Sequence, residues 1–163
     1  KGHHLIIEAL SKVREKHNAE LWIVGEGYYK KNLEMLAERL GLSKHVKFLG
    51  SKSKKELAEI YNMASVFVLA NYQEITPSVN EALACKIPVV VMECGGRKFV
   101  IPNESYGLVA KKFDTDDIAD KIIKLIENKR LAQKIAKNGR AYVLKNFSLE
   151  MVAEKFYRSF IKE

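Results

Sequence analysis

The chain predicts an α/β fold, a Rossmann-like, doubly wound parallel sheet with helices on both faces. Three observations predict it. Short apolar runs of strand length recur along the 163 residues, and stretches with helical spacing separate them almost without break. Some runs are apolar throughout, as in PVVVM (Pro88 to Met92), which suits strands covered on both faces. Cap residues and glycines fall at the joints between elements.

The elements follow in order. HLIIEALSKVREKH (His4 to His17) carries apolar residues at helical spacing, and ELWIVG (Glu20 to Gly25) reads as a buried strand ending in glycine. YYKKNLEMLAERLG is an amphipathic helix that stops at Gly41, and VKFLG (Val46 to Gly50) is the next strand. Ser53 caps the helix KKELAEIYNMA, with Glu56 at the capping-box position. SVFVLA (Ser65 to Ala70) is a strand, Pro77 to Cys85 a helix, PVVVM a strand and GLVA (Gly107 to Ala110) a short strand. Three helices close the chain. The first starts at Asp114 or Thr115, the second spans Arg130 to Leu144, and Ser148 opens the third with Met151 at its N3 position.

The length fits one domain, and 47% apolar with 29% charged residues is an ordinary globular composition. No repeat, linker or low-complexity tract interrupts it. The net charge of +8 is mostly lysine. It describes either a solvated Lys/Glu surface or one that favours anionic partners: nucleotides, acidic lipid headgroups or nucleic acid. Aromatics interleaved with basic residues would point to nucleic acid, and that pattern is absent, so no nucleic-acid partner is expected. Cys85 and Cys94 lack metal-ligand spacing and read as buried thiols of a reducing compartment. No apolar run nears the roughly 20 residues of a membrane span. A cytoplasmic location is expected, with peripheral contact at the inner membrane face allowed by the basic surface.

Parallel α/β sheets bind ligands at the carboxyl ends of their strands. Four segments fall there: Gly25-Glu26-Gly27, Gly50-Ser51, Asn71 to Ser78 and Cys94-Gly95-Gly96. Gly25 and Gly27 allow close backbone approach to a ligand, or form a plain β-α turn. Gly50 and Ser51 offer backbone groups that suit a nucleobase edge, or again a turn. Lys1, before Gly2 at a helix start, suits a diphosphate, or is simply a chain end. Pro77-Ser78 marks a helix N-terminus, whose free N–H groups and dipole favour anions. Carboxylates at Glu74 and Glu81 flank it, and carboxylates accept from hydroxyls. Anion site and hydroxyl acceptors together suit a nucleotide sugar. The other reading is a surface loop before an amphipathic helix. Tyr28 and Tyr29 either stack on a base or start a helix. The four histidines have no partners at metal spacing, so no metal site is expected.

In order, the chain reads KG before a helix, IVGEG, LGL then VKFLG, ELAEIYNMASVFVLAN, E-x-x-P…EALACKIPVV, GG, GLV, and a terminal helix after NFSLE. This series resembles the C-terminal, nucleotide-sugar-binding half of GT-B glycosyltransferases, of the group 1, family 4 type. The resemblance covers essentially the whole chain. It implies a retaining transfer of sugar from a nucleotide-diphosphate donor, with no cofactor and no metal. Lys1 looks like the lysine on the donor diphosphate. Gly25 and Gly27 look like the glycine turn beside the donor. Glu81 looks like the second glutamate of the E-x7-E motif, on the ribose. Glu74 looks like the first, near the donor sugar and the reacting centre, and so stands as the catalytic candidate. The segment Ile75, Thr76, Pro77, Ser78 and Val79 would supply backbone N–H groups to phosphate and sugar.

Four departures accompany the resemblance. Six residues, not seven, separate Glu74 from Glu81, and Gln73 holds the seven-residue spacing. Phe99 stands where the family often has a glutamate after GG. The arginine and the strand that the family usually places before KG are both absent, because the chain starts at Lys1. The resemblance therefore implies a 1–163 fragment with an incomplete sheet, whose acceptor domain lies N-terminal to it. Its partners would be the donor, that domain, and an acceptor sugar or lipid-linked glycan. The terminal helix, with Phe156, Tyr157 and Phe160 after Phe147, would show aromatics left partly exposed by that missing domain. Two rivals share the architecture: a nucleotide-sugar 2-epimerase, and a non-catalytic nucleotide-binding module.

Overall fold

The computed structural model describes residues 1–73 and 76–160. The elements run α1 (His3–Lys16), β1 (Leu21–Val24), α2 (Lys30–Arg39), β2 (Val46–Gly50), α3 (Lys54–Met63), β3 (Phe67–Leu69), α4 (Pro77–Ala84), β4 (Val89–Met92), α5 (Arg97–Val100), β5 (Leu108–Ala110), α6 (Thr115–Glu127), α7 (Lys129–Phe147) and α8 (Leu149–Phe160). All strand pairs are parallel. This is the expected α/β architecture. Its strands form two sheets, β1-β2 and β3-β4-β5, rather than one continuous sheet.

Alternation along β4 shows how both faces are covered. Val90 and Met92 join a core with Leu5, Ile6 and Ala9 of α1 and Ile118, Ala119 and Ile122 of α6. Val89 and Val91 join the opposite core with Val79, Ala82 and Leu83 of α4 and Val143 of α7. Successive side chains of a strand point to opposite faces, so a doubly covered strand must be apolar at every position, as β4 is. A third core seats β1, β2 and α2 against Ile7 and Leu10 of α1. Helix α1 thus bridges the two sheets, and it also packs on α6.

Local chemistry explains the ends of the elements. Ser53 and Glu56 form a full capping box at the start of α3: the Ser53 N–H donates to Glu56 Oε2 at 2.8 Å, and the Glu56 N–H donates to Ser53 Oγ at 3.4 Å. Asp114 caps α6 through the Asp117 N–H at 2.8 Å. The Met151 N–H donates to Ser148 Oγ at 3.3 Å. Helix α7 is longer than expected, from Lys129, capped by Asn128. The four-residue α5 was not legible, because one turn shows no period.

Candidate functional site

The carboxyl ends of β3 and β4 gather two of the four predicted segments, Asn71 to Ser78 and Cys94-Gly95-Gly96, with the Lys1-Gly2 start. Gly2 caps α1 in the left-handed region, φ 72°, and packs against the carbonyl of Ala70 just past β3. Asn71 is buried at 6% exposure, and its Oδ1 accepts the Gln73 N–H at 3.4 Å. A Cβ on Gly95 would lie 3.1 Å from the Gln73 carbonyl oxygen, so the GG loop runs against the loop after β3. Lys1, exposed, leads into this junction. Glu74 and Ile75 lie outside the described residues.

Helix α4 opens onto the same loop. Thr76 is its N-cap with extended backbone, and Pro77 occupies the first turn, where its missing N–H costs nothing. Among the described residues no side chain caps this end. The hydroxyls of Thr76 and Ser78 lie 2.6 Å apart. Val79 is fully buried in the core and fixes the helix against the sheet. Glu81 is exposed, one turn further along. Tyr61 of α3 donates its hydroxyl to Glu81 Oε2 at 3.1 Å and lies 3.5 Å from the Ser78 carbonyl oxygen. Burial first, then the Glu81 charge, pushes the Tyr61 phenol above its usual range, so it is a donor across the ordinary pH range. Sequence reasoning missed Tyr61. Its one signal was a phenol near the end of an amphipathic helix.

The other predicted residues meet at the carboxyl end of the smaller sheet. The Gly25 N–H donates to the Gly50 carbonyl at 2.8 Å, and both glycines have positive φ, 115° and 66°. The Glu26 carboxylate lies over Gly50, where a Cβ would be 2.8 Å from its Oε1. Gly27 and Ser51 are exposed beside them. Tyr28 and Tyr29 immediately precede α2 and are 104% and 76% exposed. Lys1 and the α4 opening therefore belong to one loop cluster, and Gly25, Gly27, Gly50 and Ser51 to a second.

Phe99 is 78% exposed on α5, after the GG pair. Burial pushes the Cys94 thiol up, which suits an unreactive thiol, and both cysteines are free. Among the described residues no cluster of His, Cys, Asp and Glu is arranged to hold a metal, and no helix is long and apolar enough to cross a membrane. A cavity of about 410 Å³ lies elsewhere, at the amino end of β5, lined by Asn103, Lys124 and Lys134 among others.

The comparisons with known proteins agree with this architecture. An uncharacterized glycosyltransferase of Methanocaldococcus jannaschii is 31% identical over 156 residues, which is 95% of this chain and 40% of that protein. The crystal structure of the C-terminal domain of a glycosyl transferase group 1 family protein from Francisella tularensis superposes with a TM-score of 0.81 at 28% identity. It covers 91% of this chain and 80% of that one. A point mutant of Staphylococcus aureus TarM, crystallised with Fondaparinux, alpha-GlcNAc-glycerol and UDP, superposes with a TM-score of 0.86 at 26% identity, over 97% of this chain and 32% of that one. The chain thus spans less than half the length of the curated relatives it matches. The family described as glycosyl transferases group 1 matches residues 1–142, and the chain belongs to that family.

Proposed function

We propose that this chain is the donor-binding domain of a retaining glycosyltransferase. It would hold a nucleotide-diphosphate sugar for transfer to an acceptor carried by a separate N-terminal domain. One observation carries the reading: the α4 N-terminus, the Gly2–Ala70 junction that leads from Lys1, and the GG loop all border one loop, and Tyr61 reaches both Glu81 and the Ser78 carbonyl in the first turns of α4. The helix end and Lys1 supply positive potential for a diphosphate, and the leaving group of sugar transfer is that diphosphate. Glu81 accepts from ribose hydroxyls. Thr76 and Ser78 line phosphate and sugar, with Glu74 and Ile75 between them and Gln73 in sequence, while Val79, fully buried and with its N–H donating to the Thr76 carbonyl at 3.1 Å, only holds the helix in place behind them. The Gly25–Gly27 turn lies beside the donor, and Gly50-Ser51 meets the base.

The Lys1 ammonium and the α4 helix end take up the charge that develops on the diphosphate, so the proposed chemistry uses no bound metal. The acceptor is a sugar or a lipid-linked glycan, and the basic surface suits a peripheral approach to a membrane. Because the acceptor and part of the cleft lie in another domain, the chain alone binds nucleotide weakly and does not turn over.

Calorimetric titration of the complete protein with UDP, GDP, ADP and their sugars tests the reading. UDP is the first probe because the Staphylococcus aureus neighbour was crystallised with it. The expected result is binding of one nucleotide family, weakened at least about tenfold but still measurable on Glu81→Ala. A folded protein that takes none of the three would overturn it.

A further inference from the structure

We infer that Tyr61 is the positioning residue for Glu81, holding its carboxylate in the rotamer that receives the ligand. The inference rests on the donor-binding reading above and adds a residue to it.

The geometry is specific. Glu81 is exposed, and an exposed glutamate samples several rotamers. One carboxylate oxygen, Oε2, accepts from the Tyr61 hydroxyl at 3.1 Å, and Oε1 has no partner among the described residues. A phenol has one proton to give. Its distance to Glu81 is shorter than the 3.5 Å to the Ser78 carbonyl, and a charged acceptor is the stronger one, so the proton belongs to the carboxylate. Fixing Oε2 orients Oε1 towards a hydroxyl donor before the ligand arrives, which lowers the ordering cost of binding.

The platform for Tyr61 is itself built. The Ser53–Glu56 capping box sets where α3 starts, and so sets which face Tyr61 occupies. Its ring sits 6.0 Å from the Phe67 ring of β3, tilted by 58°. Helix α3 has no fully buried residue, so the ring and its hydroxyl tie it to the larger sheet and to α4. This invites a simpler account in which Tyr61 only anchors α3. The two accounts differ in what the hydroxyl does for the ligand.

The test is a double-mutant cycle in the complete protein. Tyr61→Phe keeps the ring and its contact with Phe67 and removes only the hydroxyl. UDP, GDP and ADP are titrated into the wild type, Tyr61→Phe, Glu81→Ala and the double variant, with a thermal melt of each. The nucleotide that the wild type selects is expected to bind Tyr61→Phe about tenfold more weakly, about 1.4 kcal/mol. In the Glu81→Ala background the same change is expected to have no further effect. The 2′,3′-dideoxy form of that nucleotide should bind wild type and Tyr61→Phe equally, which a merely structural role would not produce.

Unchanged affinity in Tyr61→Phe, with or without a lower melting temperature, overturns the inference and leaves the donor reading standing if Glu81→Ala still weakens binding. Losses that multiply in the double variant also overturn it. If Glu81→Ala binds as well as the wild type, or the wild type binds none of the three, both readings fall together.

Discussion

Gly2 and Ala70 are in direct backbone contact: a Cβ on Gly2 would fall 2.8 Å from the Ala70 carbonyl carbon and closer still to its oxygen. Gly2 also has φ 72°, where an L side chain is strained. Position 2 therefore admits glycine on two independent grounds, and it sets where Lys1 enters the site. Gly2→Ala is expected to destabilise the fold by about 2 kcal/mol. If the proposed donor site holds, the substitution should also weaken nucleotide binding by displacing Lys1. Chemical denaturation checks the first effect and calorimetry the second. A stable variant with unchanged midpoint would mean that the junction gives way easily.

Helices α4 and α7 meet at Gly139, whose added Cβ would overlap Leu83 and lie 3.1 Å from the Tyr106 carbonyl oxygen. Alanine has the better helix propensity by about 1 kcal/mol. The overlap should outweigh this gain, because overpacking a core typically costs about 1–3 kcal/mol. Gly139→Ala should therefore lower the denaturation midpoint. A rise would show that Leu83 has an alternative rotamer.

The capping box of α3 predicts a local effect. Ser53→Ala removes the acceptor for the Glu56 N–H and is expected to cost about 1 kcal/mol. Helix α3 buries no residue fully, so the loss should appear first as faster amide exchange across residues 54–63. Exchange that quickens equally everywhere would argue for global destabilisation instead.

His3 predicts a pH dependence. Burial first, with the positive charge of Lys1 beside it, holds its pKa below the ordinary histidine value. The unfolded chain takes up that proton as pH falls through about 6.5, and the folded chain only at lower pH. Between those values the unfolded state binds more protons, so stability rises with pH there. The contribution is complete above about pH 6.5 and is lost as pH falls towards the folded pKa. His3→Asn should flatten this part of the stability–pH curve. Identical slopes for the two proteins would remove His3 as the cause.

Helix α8 leaves Phe156, Tyr157 and Phe160 at 66%, 67% and 74% exposure, as an apolar patch on its surface. Phe147, before it, is by contrast half-buried against the α4–α7 core. Replacing Phe156 and Tyr157 by serine should change the stability of this chain by less than about 0.5 kcal/mol each and reduce binding of an apolar dye. A large loss of stability would show that the patch packs within the chain.

The sequence by itself determined the kind and order of nearly every element, because its signals are local. The Ser53–Glu56 box, the Asp114 cap and the all-apolar β4 act within one or two turns or one strand. It also named the segments that lie at the strand ends. Only the tertiary structure decided which of those segments meet. Gly25 joins Gly50, Gly2 joins Ala70, and Gly95 joins Gln73, each through backbone contact between residues distant in the chain. Tyr61 and Glu81, 20 residues apart, lie on different helices, and no periodicity within either helix predicts a side-chain bond between them. The division into two sheets is likewise a matter of which strand edges pair. Composition and spacing determine whether a segment has a face to bury, but the partner of that face is selected by packing over the whole chain.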